Sequence, residues 1–113
     1  MGCISLTSIT IPASVTTLGR EVFFGCKNLQ SVTIGNTNIT RIPDSFFFNC
    51  KNLTTVDICL NVIETVGKNA FFSCRELPNT IINGMTNLIN IENNAFMNCH
   101  ALTDLSLNIN NTL

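Results

Sequence analysis

The residues with most chemistry to offer are six cysteines, at 3, 26, 50, 59, 74 and 99, and one histidine, His100. Thiols can pair as disulfides, ligate zinc or attack a substrate beside a base. Spacing decides among these uses. With Cys59 set aside, the gaps are 23, 24, 24 and 25 residues. A fixed period of about 20–50 residues marks an array of stacked repeats. Stacking places neighbouring Cβ atoms about 4.8 Å apart, whereas a disulfide wants about 3.8 Å. Zinc sites combine closely spaced Cys and His, and that spacing is absent. His100 follows Cys99 directly, so one side chain points into the array and the other out. The expectation is a ladder of small buried thiols. No catalytic residue, metal or cofactor is expected. Cys59 lies off the ladder, just past a strand, and is expected to be an exposed thiol able to pair between molecules.

The flanking residues keep the same register. Phe23, Phe47, Phe71 and Phe96 lie three residues before a ladder cysteine; Leu6, Leu29, Leu53, Leu77 and Leu102 lie three after. Six after come Ile9, Val32, Val56, Thr80 and Leu105, and eight after come Ile11, Ile34, Ile58, Ile82 and Leu107. The unit reads A/V-F-x-x-C-x-x-L-x-x-V-x-I. A loop and a second apolar pair follow, such as Val15/Leu18, Ile39/Ile42 or Val62/Val66. Period-2 alternation at the end of the unit predicts a short strand with one buried face. One such strand per repeat makes a parallel sheet. The Phe-x-x-Cys segment is expected to form a turn or helical turn on the opposite side. The fourth unit departs from the pattern at Pro78 and Thr80 and carries one extra residue, which predicts a shifted or distorted strand.

These motifs resemble the cysteine-containing, BspA-like leucine-rich repeat family. Leu6 to Gly19 followed by Phe23-Phe-Gly-Cys26 is similar to that family's repeat, and the resemblance covers the whole chain. It implies an α/β leucine-rich-repeat solenoid, mostly β, with parallel strands on a concave side and turns on a convex side. Residues 1–113 then form one domain of about four and a half repeats with no recognisable caps. It further implies a non-enzymatic protein-interaction module of the adhesion or recognition type, at the cell surface or secreted.

Each stacked position becomes a stripe. Phe, Leu, Val and Ile stripes are core. The concave strand face is expected to show Ser8, Thr10, Ser31, Thr33, Thr55, Asp57, Asp104 and Ser106, with Asn79/Ile81 at the same positions of the irregular fourth unit. These are small groups without the aromatic or Arg anchors that carry most interface energy. On the convex side Phe24, Phe48, Phe72 and Met97 stand two residues before a cysteine, beside a position already holding buried Phe. They form a candidate apolar ridge. Lys27, Lys51, Arg75 and His100, one residue after each cysteine, form a basic stripe three residues further on. On a helical turn the two stripes share a face.

Composition closes off several classes. Hydrophobic residues make up 45% of the chain and charged residues 12%, too apolar for disorder. Six Lys/Arg against seven Asp/Glu argue against nucleic acid. No apolar run reaches the roughly 18 residues of a spanning helix. Gly2-Cys3 lacks the downstream Ser/Thr of a myristoylation signal, and no secretory leader pattern is visible, so a cytoplasmic protein also fits. Three Asn-x-Ser/Thr triplets match the number chance gives, about three for this Asn and Ser/Thr content. Besides a protein partner and a homo-oligomer, two alternatives stand. One is a structural unit assembling through open ends or the Phe24/Phe48/Phe72 ridge. The other is a weak anion or glycosaminoglycan binder using Lys27, Lys51 and Arg75.

Overall fold

The computed structural model describes residues 3–103 and the short strand at Asn110–Asn111. The first sheet is parallel, with strands β1 (Ser8–Ile11), β2 (Ser31–Ile34) and β4 (Thr55–Asp57) in the order β1-β2-β4. Ile9 pairs with Val32 and Val32 with Val56, so the cysteine register is also the strand register. Alternation does what the sequence predicts: Val32 and Val56 are buried, while Thr10, Thr55 and Asp57 face out.

A second parallel sheet was only hinted at by the second apolar pair. It holds β3 (Arg41–Ile42), β5 (Thr65–Val66), β6 (Asn90–Ile91) and β7 (Asn110–Asn111), in the order β3-β5-β6-β7. Its core residues are Ile42, Val66 and Ile91, and the partner of Val66 is Ile63 rather than Val62. Ile63 is fully buried, while Val62 sits half-buried in a single 3-10 turn, Leu60–Val62.

In the fourth unit a six-residue helix, α1 (Asn79–Gly84), replaces the expected strand. The reason is the departure at Thr80. A strand in register would drive its hydroxyl into the core, at a cost unless it found a partner. The helix instead turns Ile81 and Ile82 inward, at 6% and 1% exposure, and leaves Thr80 in solvent. Asn79 keeps the link to the next repeat through its amide, which donates to Thr103 Oγ1 at 2.8 Å and accepts from Thr103 N at 3.2 Å. The first sheet therefore stops at β4.

The Phe-x-x-Cys segments are not helical turns. Each is a run of tight turns with two residues in the left-handed region: Glu21 and Gly25, Ser45 and Asn49, Asn69 and Ser73, Asn94 and Asn98. This alternation aims every second N–H along the stack. Glu21, Phe23 and Gly25 donate to the carbonyls of Asp44, Phe46 and Phe48, at 2.7–3.1 Å. Ser45, Phe47 and Asn49 repeat this onto Lys68, Ala70 and Phe72, and Asn69, Phe71 and Ser73 onto Asn93, Ala95 and Met97. All nine donors point toward the C-terminal repeat. Left-handed φ suits Gly and Asn and strains most other side chains. Glu21, at φ 62°, is with Ser45 and Ser73 one of three that are neither Gly nor Asn, and it has the longest side chain of them. Glu21→Asn, matching Asn69 and Asn94, is expected to stabilise the fold by about 0.5–1 kcal/mol. An unchanged urea midpoint would show that the turn is not strained there.

Between these layers lies one core. The rings of Phe23, Phe47, Phe71 and Phe96 stack in sequence with centroids 5.2–5.8 Å apart. Phe46 enters edge-on at 5.3 Å from Phe23 and 4.8 Å from Phe47, filling the place that Ala70 and Ala95 take in later repeats.

Candidate functional site

The outward residues of the first sheet form one compact patch: Ser8, Thr10, Ser31, Thr33, Thr55 and Asp57. Cα pairing puts Ser31 between Ser8 and Thr55, and Thr33 between Thr10 and Asp57. Ser31 and Thr33, in the central strand, are half-buried by their neighbours, and the other four are exposed. Asp104 and Ser106 lie outside the described residues. Helix α1 removes Asn79 and Ile81 from the face, so the patch spans three repeats. Its chemistry is short hydroxyls and one carboxylate on a rigid pleated surface.

Phe24, Phe48 and Phe72 are half-buried, and they lean on one another rather than projecting singly. Their rings stack at 4.4 and 4.7 Å with interplanar angles of 3° and 6°, a second aromatic column outside the core spine. Met97 continues the column and is 41% exposed. Along the basic stripe Lys27, Arg75 and His100 are exposed and Lys51 is half-buried. None of them forms an ion pair among the described residues. Because the segment is a left-handed turn run, the helical argument for a shared face does not apply.

The ladder thiols have a partner that spacing did not reveal. Cys50 Sγ donates to Phe23 O at 3.1 Å, Cys74 Sγ to Phe47 O at 3.1 Å and Cys99 Sγ to Phe71 O at 3.0 Å. Each carbonyl also accepts the N–H three residues on in its own repeat. The thiol thus fills the second lone pair of a buried carbonyl while packing as an apolar group. Burial pushes Cys50 up to about 12 and Cys99 up to about 11, and raises Cys74 well above the ordinary range. Cys99 is therefore a neutral thiol engaged with a carbonyl beside an outward His100, which is no nucleophile–base pair.

Cys59, expected to be exposed, is half-buried, with its thiol 3.1 Å from Asn61 Oδ1. Cys3 is exposed. An aromatic-disulfide titration at neutral pH is expected to modify Cys3 and Cys59 readily. Cys26, Cys50, Cys74 and Cys99 should react only on unfolding, since thiolate and access are both required. The same burial sets a pH dependence. A thiol whose folded pKa is raised contributes stability that is complete below its unfolded value, near 9, and fades as pH climbs toward 11–12. Loss of stability above about pH 9 should shrink in Cys50→Ala; an identical alkaline limb in that variant would refute this cause.

The structure adds one polar site that the sequence did not signal. Arg41 in β3 donates to Asp44 Oδ1 at 2.8 Å and to Glu92 Oε1 at 2.9 Å, reaching past one repeat to the next. Beside it lies a groove of about 230 Å³ between Thr16–Leu18 and Asn38–Pro43. Gly67 N and Glu92 N donate to Ile42 O and Val66 O, and Pro43 has no N–H for the equivalent bond to Leu18, so one link that joins later strands of the second sheet cannot form ahead of β3. No cluster of three or more His, Cys, Asp or Glu suited to a metal occurs among the described residues. No described helix is long and apolar enough to cross a membrane.

Comparison with known proteins agrees with this geometry. The model of the BspA-type leucine-rich repeat region matches residues 1–113 in six copies. The crystal structure of a leucine-rich repeat protein from Bacteroides ovatus superposes with a TM-score of 0.72 at 25% identity. The match covers 98% of this chain and 28% of that one. No curated protein is significantly similar to the chain. The cysteine period, the stacked Phe and Leu positions and the family match converge: the chain belongs to the BspA-type leucine-rich repeat family.

Proposed function

We propose that the protein is a non-enzymatic, solenoid-type interaction module of the adhesion or recognition kind, working at the cell surface or after secretion. Its docking face is the Ser/Thr patch of β1, β2 and β4. The observation that supports this most is the patch itself: six small polar side chains held on paired strands, whose alternate residues Val32, Ile34 and Val56 are buried and Ile9 and Ile11 half-buried. A rigid face loses little entropy on binding. Short hydroxyls supply hydrogen bonds without bulk, so the partner must bring the large anchoring side chains. Panning a displayed peptide library on the immobilised protein tests the reading. Selected peptides should lose at least tenfold affinity on Thr33→Arg with Thr55→Arg, and keep it on Lys51→Glu. Peptides indifferent to the double variant would place recognition elsewhere.

Self-association is the second reading. It is favoured by the outer Phe24–Phe48–Phe72 column, whose stacked rings stay only half-buried.

A further inference from the structure

The first two repeats are zipped on one side and open on the other. In the first sheet β1 and β2 pair along their whole length, and Gly35 N donates to Ile11 O at 2.8 Å. In the second sheet the later junctions close through one recurring set of bonds. Glu64 N and Thr65 N donate to Thr40 O, and Gly67 N to Ile42 O. Ile89 N and Asn90 N donate to Glu64 O, and Glu92 N to Val66 O. The matching donors ahead of β3 are Thr40 N and Arg41 N, which would meet Thr16 O. Neither has a partner among the described residues. The groove of about 230 Å³ lies between them and Thr16–Leu18. Both of its walls belong to the described chain, so it is an unfilled junction between two repeats that are present.

The unmade bonds have the form of a strand edge. Backbone groups alternate in direction along a strand. Thr40 O and Ile42 O turn to β5, so Arg41 turns both its N–H and its C=O into the groove. A donor and an acceptor side by side are a template for another extended chain. Leu18, Ile39 and Pro43 add apolar lining. The rim is acidic: Arg41 is shared by Asp44 and Glu92, one cation against two carboxylates.

We infer that this groove takes an extended segment of a partner protein, apolar at alternate positions and basic at its flanks, which adds as a strand to the open edge of β3. Thr40 N and Arg41 N donate to one of its carbonyls, as Glu64 N and Thr65 N do to Thr40 O, and one of its N–H groups donates to Arg41 O. Its apolar side chains meet Leu18, Ile39 and Pro43, and its Lys or Arg answers the surplus carboxylate. The site shares no residue with the Ser/Thr patch of the first sheet and stands or falls apart from it.

The probe is an acetylated, amidated peptide, Lys-Val-Thr-Val-Lys, added up to about 1 mM to isotope-labelled protein. Amide shifts should move first at Thr40 and Arg41, and hydrogen exchange there should slow at least tenfold, while Ser31 and Thr33 stay unmoved. Methylating the three central amide nitrogens of the peptide should abolish the shifts, because the strand can no longer donate. Exchanging both lysines for glutamates should weaken binding about threefold or more at low salt. Undiminished binding of the methylated peptide overturns strand addition, and equal binding of the glutamate peptide overturns the basic preference. Shifts confined to Ser31, Thr33 and Thr55 overturn the site and leave the first-sheet reading standing. No shift at any amide of the folded protein overturns the site as well.

Discussion

Phe47→Ala is expected to cost about 4 kcal/mol, about a quarter or more of the chain's whole stability. The ring is fully buried. It stacks on Phe23 at 5.8 Å and Phe71 at 5.2 Å and meets the edge of Phe46 at 4.8 Å. Its removal opens a void that Phe46 cannot fill without leaving its own contacts. A chain of this length has roughly 6–17 kcal/mol of stability in all. Phe48, its neighbour in sequence, belongs to the outer column and is half-buried, so Phe48→Ala should cost only about 1–2 kcal/mol. Urea unfolding of the two variants makes the comparison. Equal losses would mean that the inner and outer columns are not energetically distinct.

Gly67→Ala should destabilise by about 2–3 kcal/mol, at the upper range of overpacking. Gly67 is buried, and a Cβ there would lie 2.5 Å from Asp44 Oδ1 and 2.8 Å from both Asp44 N and Ile42 O. Two of these three atoms are backbone, held by the second sheet, so the clash cannot be relieved by a rotamer change. The same Asp44 oxygen accepts Lys68 N at 3.0 Å and pairs with Arg41. Displacing it thus disturbs the Arg41–Asp44–Glu92 link, although an exposed pair adds little by itself. Gly84→Ala is the control. Its Cβ would meet only Leu60, whose Cδ1 at 2.5 Å is the far end of a half-buried side chain and whose Cβ at 3.2 Å needs a shift of only a few tenths of an ångström, and Ala favours the helix. The control should be near neutral. A Gly67→Ala protein as stable as the control would show that the sheet can yield at that point.

Much of the architecture was legible from residue types alone. Five cysteines in register, with Phe before and Leu after, encode the repeat, because only stacking buries their faces together. Alternation in Ser8–Ile11, Ser31–Ile34 and Thr55–Asp57 encodes which face is open, since period-2 geometry leaves no other choice. Pro78 and Thr80 flagged the irregular repeat, yet did not say that a helix would replace the strand. That outcome depended on whether Ile81 and Ile82 could both reach the core, which is a packing question.

The turn ladder was illegible for a different reason. Glu21, Ser45 and Ser73 give no sign of left-handed backbone, and Gly25, Asn49, Asn69, Asn94 and Asn98 hint at it only once their common register is known. From Glu21 to Ser73 their conformation is fixed by hydrogen bonds to the adjacent repeat, residues 23 or 24 positions away, that exist only after stacking. The role of the thiols follows the same rule. The period predicted that Cys50, Cys74 and Cys99 would be buried. Only the folded stack brings Phe23, Phe47 and Phe71 carbonyls within reach, and so decides that each thiol is a donor as well as a filler. Local pattern determined which residues face the core; contacts between repeats determined the backbone shape and the polarity of the ladder.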